Sequence, residues 1–140
     1  MPHILAHQNK HKGVLKMKTC KLKSMPHANC KVLIYELASA YYAALRSYNT
    51  VVLWVELHPG YHGQSTWLEV HSNGTWSATT ARHINRFTTE FLGENYYHKI
   101  KSALGFKSYD HYAGCVRCDF IEDTDIIQKF CKTRNAYLND

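Results

Sequence analysis

The stretch Thr75-Trp76-Ser77-Ala78-Thr79-Thr80-Ala81-Arg82-His83-Ile84-Asn85-Arg86-Phe87 constrains the fold most, because the apolar pattern of the chain changes across it. Before it, apolar residues come in β-branched and aromatic runs, over 30–37, 50–57 and 66–71. After it, Ile84, Phe87 and Phe91 fall within roughly 60° of one another at about 100° per residue, with Arg82 and Arg86 on the opposite side. Strands followed by helices predict an α+β domain, a small antiparallel meander packed against one or two C-terminal helices. The hydroxyls at the junction suit a helix start: Thr79 or Thr80 is expected to cap a helix of about 80–92, and Gly93 to close it in the left-handed conformation. His83 is expected to hydrogen-bond to the strand start Ser47-Tyr48-Asn49-Thr50. Ser47, Tyr48, Thr50, Thr79, Thr80 and His83 thus read as a structural motif.

Within the β half, 50–57 reads as a central strand ending at Pro59-Gly60, and 66–71 as its antiparallel partner, turning at Ser72-Asn73-Gly74. Residues 38–46 stay open between helix and strand: their alanines favour helix, and Ile34, Ala38, Tyr41 and Leu45 would share a helical face. A second helix is expected from Asn95 to Gly105, then an irregular tail with an acidic patch (Asp119, Glu122, Asp123, Asp125) and a short amphipathic run over 126–131. The expected organisation is a mobile basic arm over 1–16, an α+β domain over 17–105 and a C-terminal extension over 106–140 packed on or beside it. No internal repeat is evident.

The chain has 140 residues and a formal net charge of +6, placed unevenly. Residues 1–35 hold seven lysines and no acid, whereas the remainder carries ten basic and eleven acidic side chains. A basic arm of this kind condenses on phosphate and loses affinity with salt. With Met17 as a second plausible start, three of those lysines could belong to an extension. The five cysteines are an odd number, no apolar signal segment opens the chain and no run is long enough to cross a bilayer. These features predict a cytoplasmic protein with reduced thiols and no membrane partner.

Two segments carry a resemblance. Asn29-Cys30-Lys31-Val32 with Arg46-Ser47-Tyr48-Asn49-Thr50-Val51-Val52, and then 76–87, resemble a family of small uncharacterised proteins encoded by phages and mobile elements. In those, Ser-Tyr-x-Thr is followed some tens of residues later by Ser-x-Thr-Thr-x-(Arg/Lys)-His-x-Asn. The similarity covers roughly residues 17–92. It implies a compact α+β domain of viral or mobile-element origin, favours strand over helix for 38–46, and brings no catalytic residues.

The residues themselves offer several sites. Lys18, Lys21, Lys23, Arg82, Arg86, Lys99, Lys101 and Lys107 are candidate contacts to nucleic acid or a partner, with Tyr and Trp available to stack on bases. His111-x3-Cys115-x2-Cys118, with Cys131 as a fourth ligand, is the metal candidate, since thiolates with one imidazole suit tetrahedral zinc. Zinc is the one cofactor considered. His58-x3-His62 brackets Pro59 and Gly60 and reads as an exposed loop. No phosphate loop, nucleophile elbow or motif-placed carboxylate pair is found, so no catalytic residue is assigned and the balance leans away from an enzyme.

Together these readings predict a small, non-enzymatic phage-type binding protein. It would inhibit a host defence system, such as a CRISPR effector, by occupying a protein or nucleic-acid-binding surface. The partner would be a host defence protein or nucleoprotein complex, with DNA or RNA as a further partner. The alternatives are a nucleic-acid-binding accessory protein, zinc-stapled, and an enzyme acting on nucleic acid or a nucleotide signal through His83.

Overall fold

A computed structural model describes residues 17–60, 62–73, 76–104 and 117–140. Among the described residues six strands form one antiparallel sheet in chain order: β1 (Met17–Lys21), β2 (Cys30–Leu37), β3 (Ala40–Ser47), β4 (Thr50–His58), β5 (Trp67–Ser72) and β6 (Arg117–Ile121). Helices α1 (Ala78–Phe91) and α2 (Tyr96–Leu104) lie between β5 and β6 in sequence, and α3 (Thr124–Leu138) follows β6. The fold is therefore α+β. Among the described residues no helix is long and apolar enough to cross a membrane.

Tight turns set the meander. Leu37 pairs with Ala40 and Ser47 with Thr50, so two residues make each connection. Ala38 (φ 53°) and Tyr48 (φ 55°) adopt the left-handed backbone these turns require. The segment left open between helix and strand is β3, paired along both edges. Its alanines serve alternation rather than helix: Ala43 fills the core on one side and Ala44 on the other.

One sheet face carries the main core. Val32, Ile34, Leu45, Val55, Leu68 and Val70 meet Ile84, Phe87 and Phe91 of α1 and Phe130 and Tyr137 of α3, all buried. Phe91 stacks on Phe87 at 4.5 Å and on Tyr137 at 5.2 Å. An irregularity between β3 and β4, where Leu45 faces Leu53 but Arg46 faces Val51, gives β4 one extra residue. Val52 and Leu53 consequently both join the main core. From Trp54 onward strict alternation resumes.

The junction at 76–87 behaves largely as its sequence suggests, with one correction. Ser77 (φ −66°, ψ 164°), rather than Thr79 or Thr80, caps α1, accepting from the Thr80 amide at 3.1 Å. The threonine hydroxyls are engaged elsewhere. Thr79 Oγ1 accepts from Arg82 Nη2 at 3.3 Å, and Thr80 Oγ1 lies 2.9 Å from Ser47 Oγ. Ser47 Oγ also sits 2.8 Å from His83 Nδ1, which is the expected tie between helix and strand start. Gly93 (φ 121°) ends α1, its amide donating to Thr88 O at 3.0 Å.

The C-terminal helix is longer than the amphipathic run predicted over 126–131. Asp123 caps it through the amides of Asp125 (2.8 Å) and Ile126 (3.3 Å), and it continues to Leu138. Its second half is anchored by buried Arg134 and Tyr137. The Arg134 guanidinium donates to the carbonyls of Tyr35 (2.8 Å) and Tyr42 (3.2 Å). Because polar Arg134 does this work at a core position, helical amphipathicity alone does not reveal it.

Candidate metal centre

The opposite sheet face carries a second, smaller core of Leu33, Tyr35 and Ala44, and beside it an unusual polar group. Strand β4 contains Trp54-Val55-Glu56-Leu57-His58, and β5 contains Trp67-Leu68-Glu69-Val70-His71. Each is a Trp-x-Glu-x-His segment. Strand alternation sends the two intervening apolar residues of each segment into the main core and the Trp, Glu and His to the second face. Antiparallel register then pairs Trp54 with His71, Glu56 with Glu69 and His58 with Trp67. The carboxylate pair that no sequence motif places is thus formed by strand register.

The result is a nearly twofold-symmetric cluster. His71 stacks on Trp54 with ring centroids 5.1 Å apart and planes 2° from parallel; His58 stacks on Trp67 at 4.9 Å and 8°. Trp54 Nε1 donates to Glu56 Oε2 at 3.0 Å and Trp67 Nε1 to Glu69 Oε2 at 2.9 Å. Between these walls the imidazole nitrogens converge on the carboxylates. His58 Nε2 lies 3.1 Å from Glu56 Oε1 and 3.4 Å from Glu69 Oε2. His71 Nε2 lies 3.1 Å from both Glu56 Oε2 and Glu69 Oε1. Each imidazole thus faces one oxygen of each carboxylate. On the β6 side, Cys118 pairs in register with His71, its Sγ 3.6 Å from His71 Nε2 and 3.8 Å from Glu69 Oε1.

The cluster is largely shielded: side-chain exposure is 8% for His71, 15% for Glu56, 18% for Glu69 and 26% for His58. Burial pushes the Glu56 carboxyl upward, but the hydrogen bond and charge of His71, with the Trp54 N–H and His58, hold it below the usual carboxylate range. Tyr42, opposite Glu56 on β3, is pushed up to about 12 by burial first and then by the charges of Glu56 and Glu69. Both effects describe a centre where negative charge is concentrated. The donors fall into two trios whose ligating atoms lie within 4.8 Å of one another, Glu56/His58/Glu69 and Glu69/His71/Cys118. Imidazole and carboxylate together suit first-row divalent metals, and the Trp N–H bonds and ring stacking orient the ligands as outer partners do at metal sites.

The residues singled out in sequence are distributed differently. Cys118 belongs to this cluster, whereas Cys131 packs against the main core on the helix side of the sheet. His111 and Cys115, like Lys107, lie outside the described residues. His58 is a strand residue of the cluster, not part of an exposed loop, while His62 is an exposed turn residue with φ 51°. Lys18 and Lys23 serve the C-terminus of α3. Lys18 Nζ donates to the oxygens of Tyr137 (2.8 Å) and Asp140 (2.6 Å), and Lys23 Nζ pairs with Asp140 Oδ2 at 2.7 Å. Lys21, Arg82, Arg86, Lys99 and Lys101 are exposed. Buried His83 is held below the ordinary imidazole value by burial, then by Arg82, and is neutral in its bond to Ser47.

Fold and cluster together define the class: an antiparallel α+β domain with a paired imidazole and carboxylate donor set on the sheet face away from its main core. The chain belongs to a family of unknown function (DUF8033), which it matches over residues 8–103. That span contains both Trp-x-Glu-x-His segments and ends before Cys118. No curated protein and no solved structure matches the chain.

Proposed function

We propose that the protein binds a divalent transition-metal ion between Glu56, Glu69, His58 and His71. The observation that carries this reading is the convergence of two imidazole nitrogens on two opposed carboxylates at 3.1–3.4 Å. Without an ion, protons bridge these contacts; an ion takes their place between the same nitrogen and oxygen atoms, which bind metal only in their deprotonated form. Elemental analysis of the full chain after dialysis against zinc or manganese tests it. Stoichiometric metal in the wild type and its loss in Glu56→Gln/Glu69→Gln are expected; equal metal content in both would overturn the reading.

A second reading keeps the surface role. Arg82 and Arg86 on α1 and Lys99 and Lys101 on α2 are exposed on two helices that contact each other. They support contact with nucleic acid or a nucleoprotein, including the inhibition of a host defence complex by a phage-type protein. A gel shift on DNA and RNA at low and high salt tests this surface. Wild-type binding that is lost in Arg82→Ala/Arg86→Ala and weakens with salt is expected; no binding at low salt would sink it.

A further inference from the structure

We propose that the centre is binuclear, with Glu56 and Glu69 bridging two unlike metal positions, one completed by His58 and the other by His71 and Cys118. This deepens the metal reading above and rests on it.

The carboxylate geometry leads to two ions rather than one. Glu56 presents Oε1 to His58 and Oε2 to His71, while Glu69 presents Oε2 to His58 and Oε1 to His71. Each carboxylate therefore divides its two oxygens between the two imidazoles. A single ion chelated by all four side chains would need only one oxygen from each carboxylate; the split arrangement places one nitrogen and two oxygens on each side. Two carboxylates bridging two ions is a recurring binuclear pattern, with ions about 3.5–4 Å apart. The two ligand trios share Glu69, as adjacent positions bridged by that residue require.

The positions are chemically distinct. Strand β6 brings Cys118 to the His71 side, its Sγ within 3.8 Å of both His71 Nε2 and Glu69 Oε1. On the His58 side, Trp67 is the register partner and supplies ring stacking instead of a ligand. A thiolate with imidazole and carboxylate favours a borderline-soft ion such as zinc, whereas the His58 position, with nitrogen and oxygen donors alone, binds more weakly and accepts a harder ion such as manganese. Zinc binding at the first position would displace the thiol proton to solvent and take the tautomer of His71 that carries its proton on Nδ1, leaving Nε2 as the ligand atom and zinc in its divalent state.

Titration of the full-length protein with cobalt(II) alone tests the proposal, following the near-ultraviolet thiolate-to-cobalt charge-transfer band and tryptophan fluorescence, since Trp54 and Trp67 flank the positions. Expected are two equivalents bound in two steps, with the charge-transfer band saturating after the first. Cys118→Ser should lose that band and bring the first step down toward the affinity of the second. His58→Gln should keep the band and reduce the stoichiometry from two ions to one, with near-ultraviolet circular dichroism confirming the fold. A wild type binding one cobalt ion would overturn the binuclear assignment and leave the metal reading standing. Two ions without a charge-transfer band would overturn the role of Cys118, and no cobalt binding would overturn both readings.

Discussion

Replacing Glu56 with Gln keeps the side chain's shape but removes its charge and one acceptor oxygen, so its effects can be worked through in order. In the metal-free protein Glu56 accepts from Trp54 Nε1 and faces both imidazoles. A hydrogen bond to a charged group contributes about 1.5–3 kcal/mol, so a loss of about 2 kcal/mol is expected at pH 7. Because the folded carboxyl is held below the ordinary carboxylate range, this contribution is present above the unfolded value and fades as pH falls through the folded one. Wild type and variant should therefore converge in strong acid. Metal separates them further. At a free concentration about 100-fold above Kd, the wild type gains about 2.7 kcal/mol; if the substitution weakens binding about 100-fold, the variant gains about 0.4 kcal/mol. At about 4 °C per kcal/mol for a domain of this size, the metal-induced rise in melting temperature is about 11 °C for wild type and about 2 °C for the variant. Differential scanning fluorimetry with and without zinc measures both. Equal rises in the two proteins would refute the assignment of the ion to these carboxylates.

Three further outcomes follow from the scaffold. Ser77→Ala should lower stability by about 1 kcal/mol by removing the α1 cap, while Thr79→Ala should stay within about 0.5 kcal/mol; comparable losses in urea denaturation would contradict the cap geometry. His83 has a folded pKa below its ordinary value, so its contribution is full above about pH 6.5 and is lost as pH falls through that value toward the folded one. The stability difference between wild type and His83→Gln should accordingly shrink from pH 7.5 to pH 5, and a constant difference would exclude a neutral buried imidazole. Tyr137 Oη donates to Glu90 and accepts from the Lys23 amide at 2.9 Å, so Tyr137→Phe should cost about 1–3 kcal/mol by stranding both partners. An unchanged urea midpoint would show that this network contributes nothing to joining α1, α3 and the β1–β2 connection.

Some of this structure is legible in the sequence because it depends on local patterns. The Ile84, Phe87 and Phe91 face, the Gly93 terminus and the β4 and β5 strands follow from periodicity and left-handed backbone demands. The His83 tie to Ser47 was legible because the two segments carry complementary hydrogen-bonding groups. The Ser77 cap is not legible because Ser77, Thr79 and Thr80 each carry a hydroxyl that can serve, and the contacts of Thr80 with Ser47 and of Thr79 with Arg82 one turn on decide between them. The Glu and His cluster is not legible for another reason. Inspected by chain spacing, Glu56 and Glu69 are far apart and His58 appears beside Pro59-Gly60. The available signal was the repetition of Trp, Glu and His at positions i, i+2 and i+4 in two successive strands.

Antiparallel pairing turns that repetition into a site. Reversal of one segment against the other matches each Trp with the opposite His and places the two Glu together, so two copies of one Trp-x-Glu-x-His pattern generate a nearly twofold arrangement without any contribution from the connecting loop. Strand period also protects it: a one-residue slip would send Glu and His into the apolar core and Val55, Leu57, Leu68 and Val70 out of it, an exchange the packed helices forbid. The symmetry is then broken by the outer neighbours in the ladder. Glu56 faces Tyr42 of β3, Glu69 faces the exposed Phe120 of β6, and His71 faces Cys118. The hairpin of β4 and β5 therefore supplies the paired donors, and β6, contributed by sequence beyond the family match, supplies the thiol that distinguishes one position from the other.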